Sequence, residues 1–442
     1  MARVTRRKFL KASSAGALAA KTTGMAGILA ASRAPVYAQA TTLHWLKWND
    51  FVPAGDEILR QSMLPEAEKA LGFKINMETI GLNDLQPRVT AAIQVQTGPD
   101  IMMIFDNKAQ LYADSCADVS ALCEAIGSSQ GGYYDLAKAN THDGKKWIAV
   151  PYCIIGLLIA YRKSWFDEIG VTKFPETWEE YREAGKKLKA NGHPLGQTLG
   201  HTVGDAPGFA YPYLWSWGGR EVEADGKTVN LNSKATIESV KFMTAFWKDA
   251  HDESGLAWDD SNNNRAFLSG TISATLNGAS IYIEALRKPD QYKTDKGVQM
   301  KTDILHAPLP KGPDGQFGVH PFQCMMVMGY SKKQQQAMEF LKWFHSTDVY
   351  DKWFTVEKGY ATGPTKQWEN HKMWGEDQVM TPFRIAPRLG RVYGYAGPAG
   401  PKAAEVLAKY IIVDMYAKAV QGMSAEDAVK WADGELRKVY GS

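Results

Sequence analysis

A regular alternation of strand and helix patterns, beginning at residue 41, constrains the fold more than any other feature of the sequence. Strand patterns cover 41–48, 73–80 and 99–105, and helix patterns cover 56–71 and 82–96. The 99–105 strand is a nearly unbroken apolar run, as is typical of buried parallel strands. This alternation predicts an α/β fold in which ligands bind beyond the carboxyl ends of the strands.

Later segments continue the alternation. A strand pair is predicted over 147–152 and 154–161, and helices are predicted over 333–346 and from Ser424 onward. Thr177 and Glu180 have the spacing of a capping box and predict a helix start. The positions that this helix should bury share one face: Trp178, Tyr181, Gly185 and Leu188.

The N-terminus has the pattern of a twin-arginine export signal. Its motif lies within 5–11 and consists of Arg6, Arg7, Phe9 and Leu10. The weakly apolar stretch that follows, 12–31, contains Lys21 and is too polar for a membrane span. A small-x-small site ends at Ala38, so residues 1–38 are predicted to be removed; cleavage after Ala40 is the alternative. No cysteine lies near the cut, which argues against a lipoprotein anchor.

Removal of this leader changes the charge balance and leaves about 400 residues, enough for two domains. Residues 1–38 carry seven of the 51 Lys and Arg residues and none of the 48 Asp and Glu residues. The remaining chain is therefore slightly acidic, and nothing in it indicates binding to nucleic acid or to an anionic membrane. The four cysteines, which are not in CxxC pairs, are expected to be free and mostly buried: Cys116, Cys123, Cys153 and Cys324.

Two loops that follow predicted strands carry candidate binding groups. Trp48 and Asn49 follow the first strand, and Asp106 and Asn107 follow the apolar 99–105 strand. An aromatic face can cover the C–H surface of a sugar ring, while carboxylates and amides bind its hydroxyls. Two structural alternatives stay open: Asp106 as a helix N-cap and Trp48 as a lid on the core.

Several segments together resemble family 1 extracellular solute-binding proteins, the sugar-transporter group that includes maltose-binding and glycerol-phosphate-binding proteins. The central signature matches at 143–152, 159–166 and 175–180. Further matches follow in the family's order and cover nearly all of the remaining chain: Trp217-Gly218-Gly219, 266–270 with 277–279, 330–343, and 422–428.

The resemblance implies a two-lobed α/β fold of the periplasmic-binding-protein type, with class II topology, a hinge and a cleft between the lobes. The first lobe would hold 41–150 and 315–360, and the second would hold 151–314 and 361–442. Ligand would bind in the cleft, and hinge closure would trap it. In the Gly359–Pro364 segment, Tyr360 looks like part of a hinge crossing that faces the cleft.

The resemblance also implies contact residues from the second lobe. In relatives, the region around Asp205, Tyr211 and Trp217 supplies aromatic contacts, although Trp215 could take the place of Trp217. A further contact loop carries Asn277, Gly278 and Tyr282, and we also assign Phe322 to the ligand-binding set. Maltose-type relatives carry an acid and a tyrosine where this chain has 206–208, which argues against a maltodextrin ligand.

The class of ligand stays open at this point. A neutral sugar or polyol is the leading candidate. Arg384, with Arg388 and Arg391 close by, could instead clamp an anion such as a sugar acid or glycerol phosphate, and the basic stretch could equally be a solvated loop. A polyamine comes third, because its site would need several carboxylates around aromatic walls and the candidate loops offer mainly Asp106 and Asp205.

The resemblance implies a periplasmic, monomeric binding protein whose partners are an ABC permease, its ATPase and, during export, the twin-arginine translocase. We predict no enzymatic activity, no metal and no cofactor, because the chain lacks GxSxG, HExxH, Walker A and strand-linked GxGxxG motifs. Two alternatives stay open: a periplasmic glycoside-acting enzyme, and a binding protein that serves a sensor instead of a permease.

Overall fold

The computed structural model describes residues 41–441. The twin-arginine motif and both predicted cleavage positions, Ala38 and Ala40, lie outside the described residues. Leu43–Ser442 forms one compact unit.

Nine strands form two separate sheets in this unit. The strands are β1 (Thr42–Trp48), β2 (Lys74–Ile80), β3 (Ile101–Phe105), β4 (Val150–Ile155), β5 (Leu158–Arg162), β6 (Ala274–Asn277), β7 (Ile304–Ala307), β8 (Phe322–Val327) and β9 (Ala361–Thr362). The larger sheet has the order β2-β1-β3-β8-β4-β9, and the smaller has the order β6-β5-β7. The predicted α/β class with two curled sheets is confirmed.

Strand direction differs between the two sheets. In the larger sheet β1 is parallel to β3, while β8 is antiparallel to both β3 and β4, and β4 is antiparallel to β9. In the smaller sheet β5 is antiparallel to both neighbours. The chain passes directly from the larger to the smaller sheet between Ile155 and Leu158, where β4 ends and β5 begins.

The α-helices surround these sheets. In chain order they are α1 (Pro53–Ile58), α2 (Leu64–Leu71), α3 (Leu85–Val95), α4 (Ser120–Ser129), α5 (Asp135–Thr141), α6 (Lys163–Glu168), α7 (Trp178–Ala190), α8 (Asp205–Ser216), α9 (Lys234–Ala250), α10 (Asn262–Leu268), α11 (Ser280–Arg287), α12 (Gln334–Phe344), α13 (Thr347–Val356), α14 (Ala386–Leu389), α15 (Pro401–Ala408), α16 (Ile411–Val420) and α17 (Ala425–Tyr440). A π-helical turn, Leu59–Met63, joins α1 to α2, so Pro65 lies in the first turn of α2, where its missing N–H costs nothing.

Two hydrophobic cores account for the fold. One contains the strands of the larger sheet and extends to α12 and α13. The other contains the buried faces of α7, α8, α9, α16 and α17. Residues 151–155 and 361–362, which the predicted division assigns to the second lobe, lie in strands of the larger sheet. Pro151 and Gly156 both interrupt the apolar run across 148–160, so its pattern alone does not show at which of them the chain changes sheets.

The helix starts predicted from capping patterns are confirmed. Thr177 and Glu180 make both hydrogen bonds of a capping box at the start of α7, and Ser424 caps α17. The predicted face of α7 is buried. The predicted strand pair is displaced by a few residues, to 150–155 and 158–162.

The four cysteines are free and buried, as expected. Between residues 41 and 441 no helix is long and apolar enough to cross a membrane.

Candidate functional site

Aromatic side chains from the larger sheet meet polar side chains from around the smaller sheet at one small cavity. Its aromatic wall consists of Trp48, Phe51, Phe105 and Tyr360, and its polar wall includes Asp205, Asp260, Asn277 and Ser280. We call this space the inner cavity. It has a volume of about 30 Å³, enough for a water molecule and too little for a sugar ring.

A larger cavity of about 550 Å³ adjoins it and shares Leu82 and Phe105 as walls. We call it the outer cavity. Lys108 and Tyr410 also line it, so its walls again come from distant parts of the chain. The two cavities together trace a cleft between the larger-sheet core and the helices of the second core.

The aromatic wall is held in place by contacts inside the larger-sheet core. Trp48, the last residue of β1, donates its indole N–H to Gln323 Oε1 at 3.3 Å. Phe51 and Phe105 contact the Trp48 ring edge-on, at centroid distances of 4.9 and 5.5 Å. The indole therefore cannot turn away from the cavity without losing a hydrogen bond and two ring contacts.

Gly278 allows its loop to approach the Tyr360 ring of the aromatic wall closely. A Cβ atom at this position would lie 2.9 Å from Cε2 of Tyr360, which is closer than Cβ contacts normally come. The loop after β6 can therefore approach the Tyr360 ring only with glycine here. This contact brings together the loop after the smaller sheet's β6 and the residue that precedes β9 of the larger sheet.

Two acidic residues, Asp205 and Asp260, belong to the polar wall. Asp260 accepts hydrogen bonds from the backbone N–H groups of Val203, Gly204 and Asp205, and so caps the start of α8 from a distance. Asp205 Oδ2 accepts a hydrogen bond of 2.6 Å from Asn263 Nδ2. Burial raises the pKa of both carboxyl groups, and for Asp205 the neighbouring Asp260 raises the pKa further.

A buried acid and a buried lysine lie at the end of β3, between the two cavities and the larger-sheet core. Asp106, in a left-handed conformation with φ of 56°, accepts a hydrogen bond of 3.0 Å from the backbone N–H of Phe322. Burial raises the pKa of Asp106 to about 7, while its other oxygen, Oδ2, is buried without a hydrogen-bond partner. Burial lowers the pKa of Lys108, and the nearby charges of Asp106 and Asp260 oppose that shift.

The structure brings five of the predicted binding residues together at the inner cavity: Trp48, Asp205, Asn277, Gly278 and Tyr360. Asp106 and Phe322 lie beside it and bond to each other. Asp106 starts a 3-10 helix, Asp106–Ser115, whose N-cap position is Phe105, so its carboxylate caps no helix and binds β8 instead.

The other predicted binding residues do not line either cavity. Asn49 is exposed, and Asn107 is buried and donates to the Ala399 carbonyl at 3.4 Å. Tyr211 packs on Tyr393 in the second core, and Trp217 packs on Phe242. Trp215 is buried near Tyr395 and does not line the cavities either. Their roles in binding stay predictions.

Tyr282 and the arginine cluster are engaged in contacts outside the cavities. Tyr282 donates its hydroxyl to Asp377 at 2.6 Å. Arg388 donates to Glu369, and the Arg391 guanidinium lies 4.0 Å from the Tyr395 ring centroid. Arg384 is half-buried and lines neither cavity. The three arginines therefore do not converge on the cleft.

Sequence reasoning missed Phe51, Phe105, Leu82 and Asp260. Phe51 and Phe105 adjoin predicted loop residues, and they could have been found by extending those loops by one or two positions. Asp260 stands in an ordinary acidic pair before α10, and nothing in that pattern indicates that it caps α8 more than 50 positions away.

The chain belongs to the bacterial extracellular solute-binding protein family, because the family model matches residues 63–382. It is also similar to the diacetylchitobiose-binding protein DasA of Streptomyces coelicolor, at 26% identity over 382 residues, covering 83% of this chain and 82% of the relative. Between residues 41 and 441 no three His, Cys, Asp or Glu side chains are grouped so that they could hold a metal ion.

Solved structures share the fold at low sequence identity. Maltose-bound MalE3 of T. maritima matches with a TM-score of 0.75 at 18% identity, covering 90% of this chain and 99% of that one. The GacH receptor of Streptomyces glaucescens, solved unliganded and with acarbose, matches with a TM-score of 0.75 at 20% identity, covering 91% and 98%. A ribitol complex of a solute-binding protein from Agrobacterium radiobacter matches with a TM-score of 0.73 at 17% identity, covering 90% and 98%.

Proposed function

We propose that this protein is the substrate-binding component of an ABC importer and that it captures a sugar or polyol in the cleft. The observation that carries the proposal is the inner cavity, where aromatic faces of the larger sheet oppose polar groups of the second core. Aromatic faces suit the C–H side of a sugar ring, and Asp205 and Asn277 offer bonds to hydroxyls. Relatives and structural neighbours whose names include diacetylchitobiose, maltose and ribitol support this ligand class.

Capture works by closure of two lobes. Their division follows the predicted bounds, 41–150 with 315–360 and 151–314 with 361–442, except that 151–155 and 361–362 move with the larger sheet. A cavity of about 30 Å³ cannot admit a sugar unless its walls separate. Ligand that contacts both walls binds the closed form alone and shifts the population toward it. The connection between Ile155 and Leu158 is one hinge crossing, since the chain changes sheets there.

Binding is the whole of the proposed activity, without turnover of the ligand. The exported protein diffuses as a monomer in the periplasm, and the closed form docks on the membrane permease, whose ATPase drives uptake. Replacing Arg6 and Arg7 together by Lys is expected to leave the precursor in the cytoplasm. Detection of the processed protein in the periplasm of that variant would overturn the twin-arginine route.

A thermal-shift titration of residues 39–442 tests the binding proposal. Sugars and polyols that bind the folded state should raise its thermal midpoint as their concentration rises. At a hundredfold excess over Kd, the free energy of unfolding should increase by about 2.7 kcal/mol. Small-angle scattering of the same samples should show a smaller radius of gyration with ligand. If no carbohydrate changed the thermal midpoint or the radius of gyration, the proposed function would be wrong. Release of a cleaved product would show that the protein is an enzyme.

Trp48→Ala and Trp431→Ala form a matched pair for this test. Trp48 lines the inner cavity, whereas Trp431 is a partly exposed residue of α17 beside Lys418. Trp48→Ala loses a stacking ring and its cavity contacts, so its ligand affinity is expected to fall about 10- to 100-fold. Trp431→Ala is expected to bind ligand with the affinity of the wild type. Equal loss in both variants would show that the ligand does not bind at the inner cavity.

A further inference from the structure

The cleft contains more buried acid than buried base. Asp106, Asp205, Asp260 and Lys108 have exposed fractions of 2%, 5%, 6% and 3%. Three carboxyl groups therefore share one ammonium group in a region of low water content. A buried carboxylate without an opposite charge is costly, so each of these acids must be protonated, bonded to amides, or neutralised by a cation from outside the chain.

The internal partners satisfy these acids unequally. Both oxygens of Asp260 accept backbone N–H groups at the start of α8. Asp106 has the Phe322 N–H and lies near Lys108. Asp205 has only the Asn263 amide, on Oδ2, and its Oδ1 has no hydrogen-bond partner among residues 41–441.

Asp205 also lacks a cation. The charges that act on it come from Asp260 and Asp259, both of the same sign, and Lys108 acts on Asp106 and Asp260 instead. No Lys, Arg or His side chain of the described residues lines the inner cavity. The cavity therefore presents a carboxyl group with a free oxygen and offers no protein cation to neutralise it.

The opposite wall of the inner cavity is also suited to a positive charge. Trp48 and Tyr360 both line it, and aromatic faces attract cations by about 0.5 to 2 kcal/mol, most strongly where water is excluded. An anion would meet Asp205 and Asp260 there, and the one nearby ammonium group, that of Lys108, acts on Asp260 and not on Asp205. The walls thus select by charge as well as by shape.

We infer that the substrate carries a protonated amino group that binds Asp205 Oδ1 in the inner cavity, so that the substrate class is an amino sugar or amino polyol. This inference rests on the proposed sugar-binding function and narrows it. The hydroxyls of the ligand face Asn277 and Ser280, while its ammonium group supplies the cation that the chain itself does not place beside Asp205.

Calorimetric titration with matched carbohydrates tests the charge directly. The probes are glucose, glucosamine and N-acetylglucosamine; galactose and galactosamine; and cellobiose with fully de-N-acetylated chitobiose. In at least one series the free amine should bind about tenfold or more tightly than its neutral counterpart, about 1.4 kcal/mol. N-Acetylglucosamine, whose nitrogen carries no charge, should behave like glucose.

Asp205→Asn removes the charge while keeping an oxygen that can accept from Asn263. It should abolish the preference for the amine, so that the amine and its neutral counterpart bind the variant with affinities within about threefold of each other, less than about 1 kcal/mol, whatever the affinity itself becomes. Asp290→Asn, at an exposed acid beyond α11, is the matched control and should keep the preference.

The outcomes separate the two proposals. If neutral or acetylated sugars bound as tightly as the amines in every series, the inference would be overturned and the proposed function would stand. If no carbohydrate of any kind bound, the proposed function itself would be overturned. The comparison of probes on the wild-type protein decides the inference even if Asp205→Asn fails to fold.

Discussion

Two groups of acids, each around one buried lysine, occupy different places in this protein. The cleft group is Asp106, Lys108, Asp205 and Asp260, at the interface of the two cores. The core group is Lys47, Asp50, Asp56 and Glu357, against the larger-sheet core, and all of them except the partly exposed Asp56 are buried. Lys47 is fully buried and forms an ion pair with Asp56, and Asp50 lies 3.9 Å away. Lys108 is also buried, but it makes no ion pair within residues 41–441.

The difference indicates which group stabilises the fold and which serves the ligand. In the core group, Asp56 accepts the backbone N–H of Asp50, and Asp50 accepts that of Val52. Glu357 has no hydrogen-bond partner for its oxygens among residues 41–441, but it lines neither cavity. In the cleft group, Asp205 Oδ1 and Asp106 Oδ2 have no hydrogen bonds within the same residues. Unpaired polar atoms beside a cavity are a cost to the folded protein that a ligand can offset.

The largest effect on stability is expected from Lys47→Met. Removing the ammonium group leaves Asp56 and Asp50 without their cation in the core, which should lower the free energy of unfolding by about 3–5 kcal/mol. Urea denaturation monitored by tryptophan fluorescence measures this change. Lys108→Met is the matched control and should cost about 1 kcal/mol or less, because no ion pair is lost. Equal losses would contradict the distinction between the two groups.

Glu357→Gln should have the next largest effect, and its sign depends on pH. Burial and nearby Asp50 raise the pKa of Glu357 well above 4.5, and neither of its oxygens has a hydrogen-bond partner in the described part of the chain. The folded state therefore keeps this proton longer than the unfolded state, so the wild type loses stability as pH rises above about 4.5. At about pH 8 the variant should be more stable than the wild type by at least about 1.4 kcal/mol, one pKa unit.

Denaturation curves at several pH values measure this difference. The advantage of Glu357→Gln should shrink toward zero near the unfolded-state pKa of glutamate, about 4.3. Glu253→Gln, at an exposed position, should show no such pH dependence. An advantage that stayed constant with pH would mean that ionisation of Glu357 is not its cause.

Thr177→Ala provides a reference for an exposed polar contact. Thr177 Oγ1 accepts the Glu180 N–H at 3.2 Å in the capping box of α7. Loss of a cap of this kind should cost about 1 kcal/mol of unfolding free energy, independent of the cleft and of ligand. Thermal denaturation with and without ligand checks this. A loss as large as that of Lys47→Met would show that burial does not set the scale of these effects.

The smallest effect on unfolding is expected from Asp106→Asn, about 0.5 kcal/mol or less, because asparagine can still accept the Phe322 N–H. Its effect should appear in cleft closure instead. Burial in the closed form raises the pKa of Asp106 to about 7, whereas a more hydrated Asp106 in an open cleft would have a pKa of about 3.9. The closed form therefore keeps the proton longer and loses stability relative to the open form as the pH rises from about 4 through about 7. Ligand-free Asp106→Asn should thus be more compact than the wild type at about pH 8 by small-angle scattering. An identical radius of gyration at every pH would contradict this account.

The local elements were largely predictable from sequence because their signals are local. The capping box at Thr177, the buried face of α7 and the apolar β3 run each follow from residues a few positions apart. The change of sheets between β4 and β5 was not predictable to the residue, because Pro151 and Gly156 are both break signals and only two residues separate the strands.

The candidate site was predictable only in part. Trp48, Asp205, Asn277, Gly278 and Tyr360 adjoin the ends of strands or helices, where the fold class itself predicts ligand contacts. Tyr211, Trp217 and Tyr282 have the same residue types, but their neighbours in space are core or surface groups. Residue type alone does not distinguish an aromatic ring in a cavity wall from one in a core.

The sequence by itself determined the α/β class, the helix boundaries set by caps, and membership in the solute-binding family, since these depend on local patterns and on their order along the chain. The tertiary structure alone decided that Asp205 and Asp260 share a cavity wall, that Lys108 leaves Asp205 unpaired, and that the arginine cluster binds elsewhere. Electrostatic balance at a site depends on distances between residues remote in sequence, and only the folded chain fixes those distances.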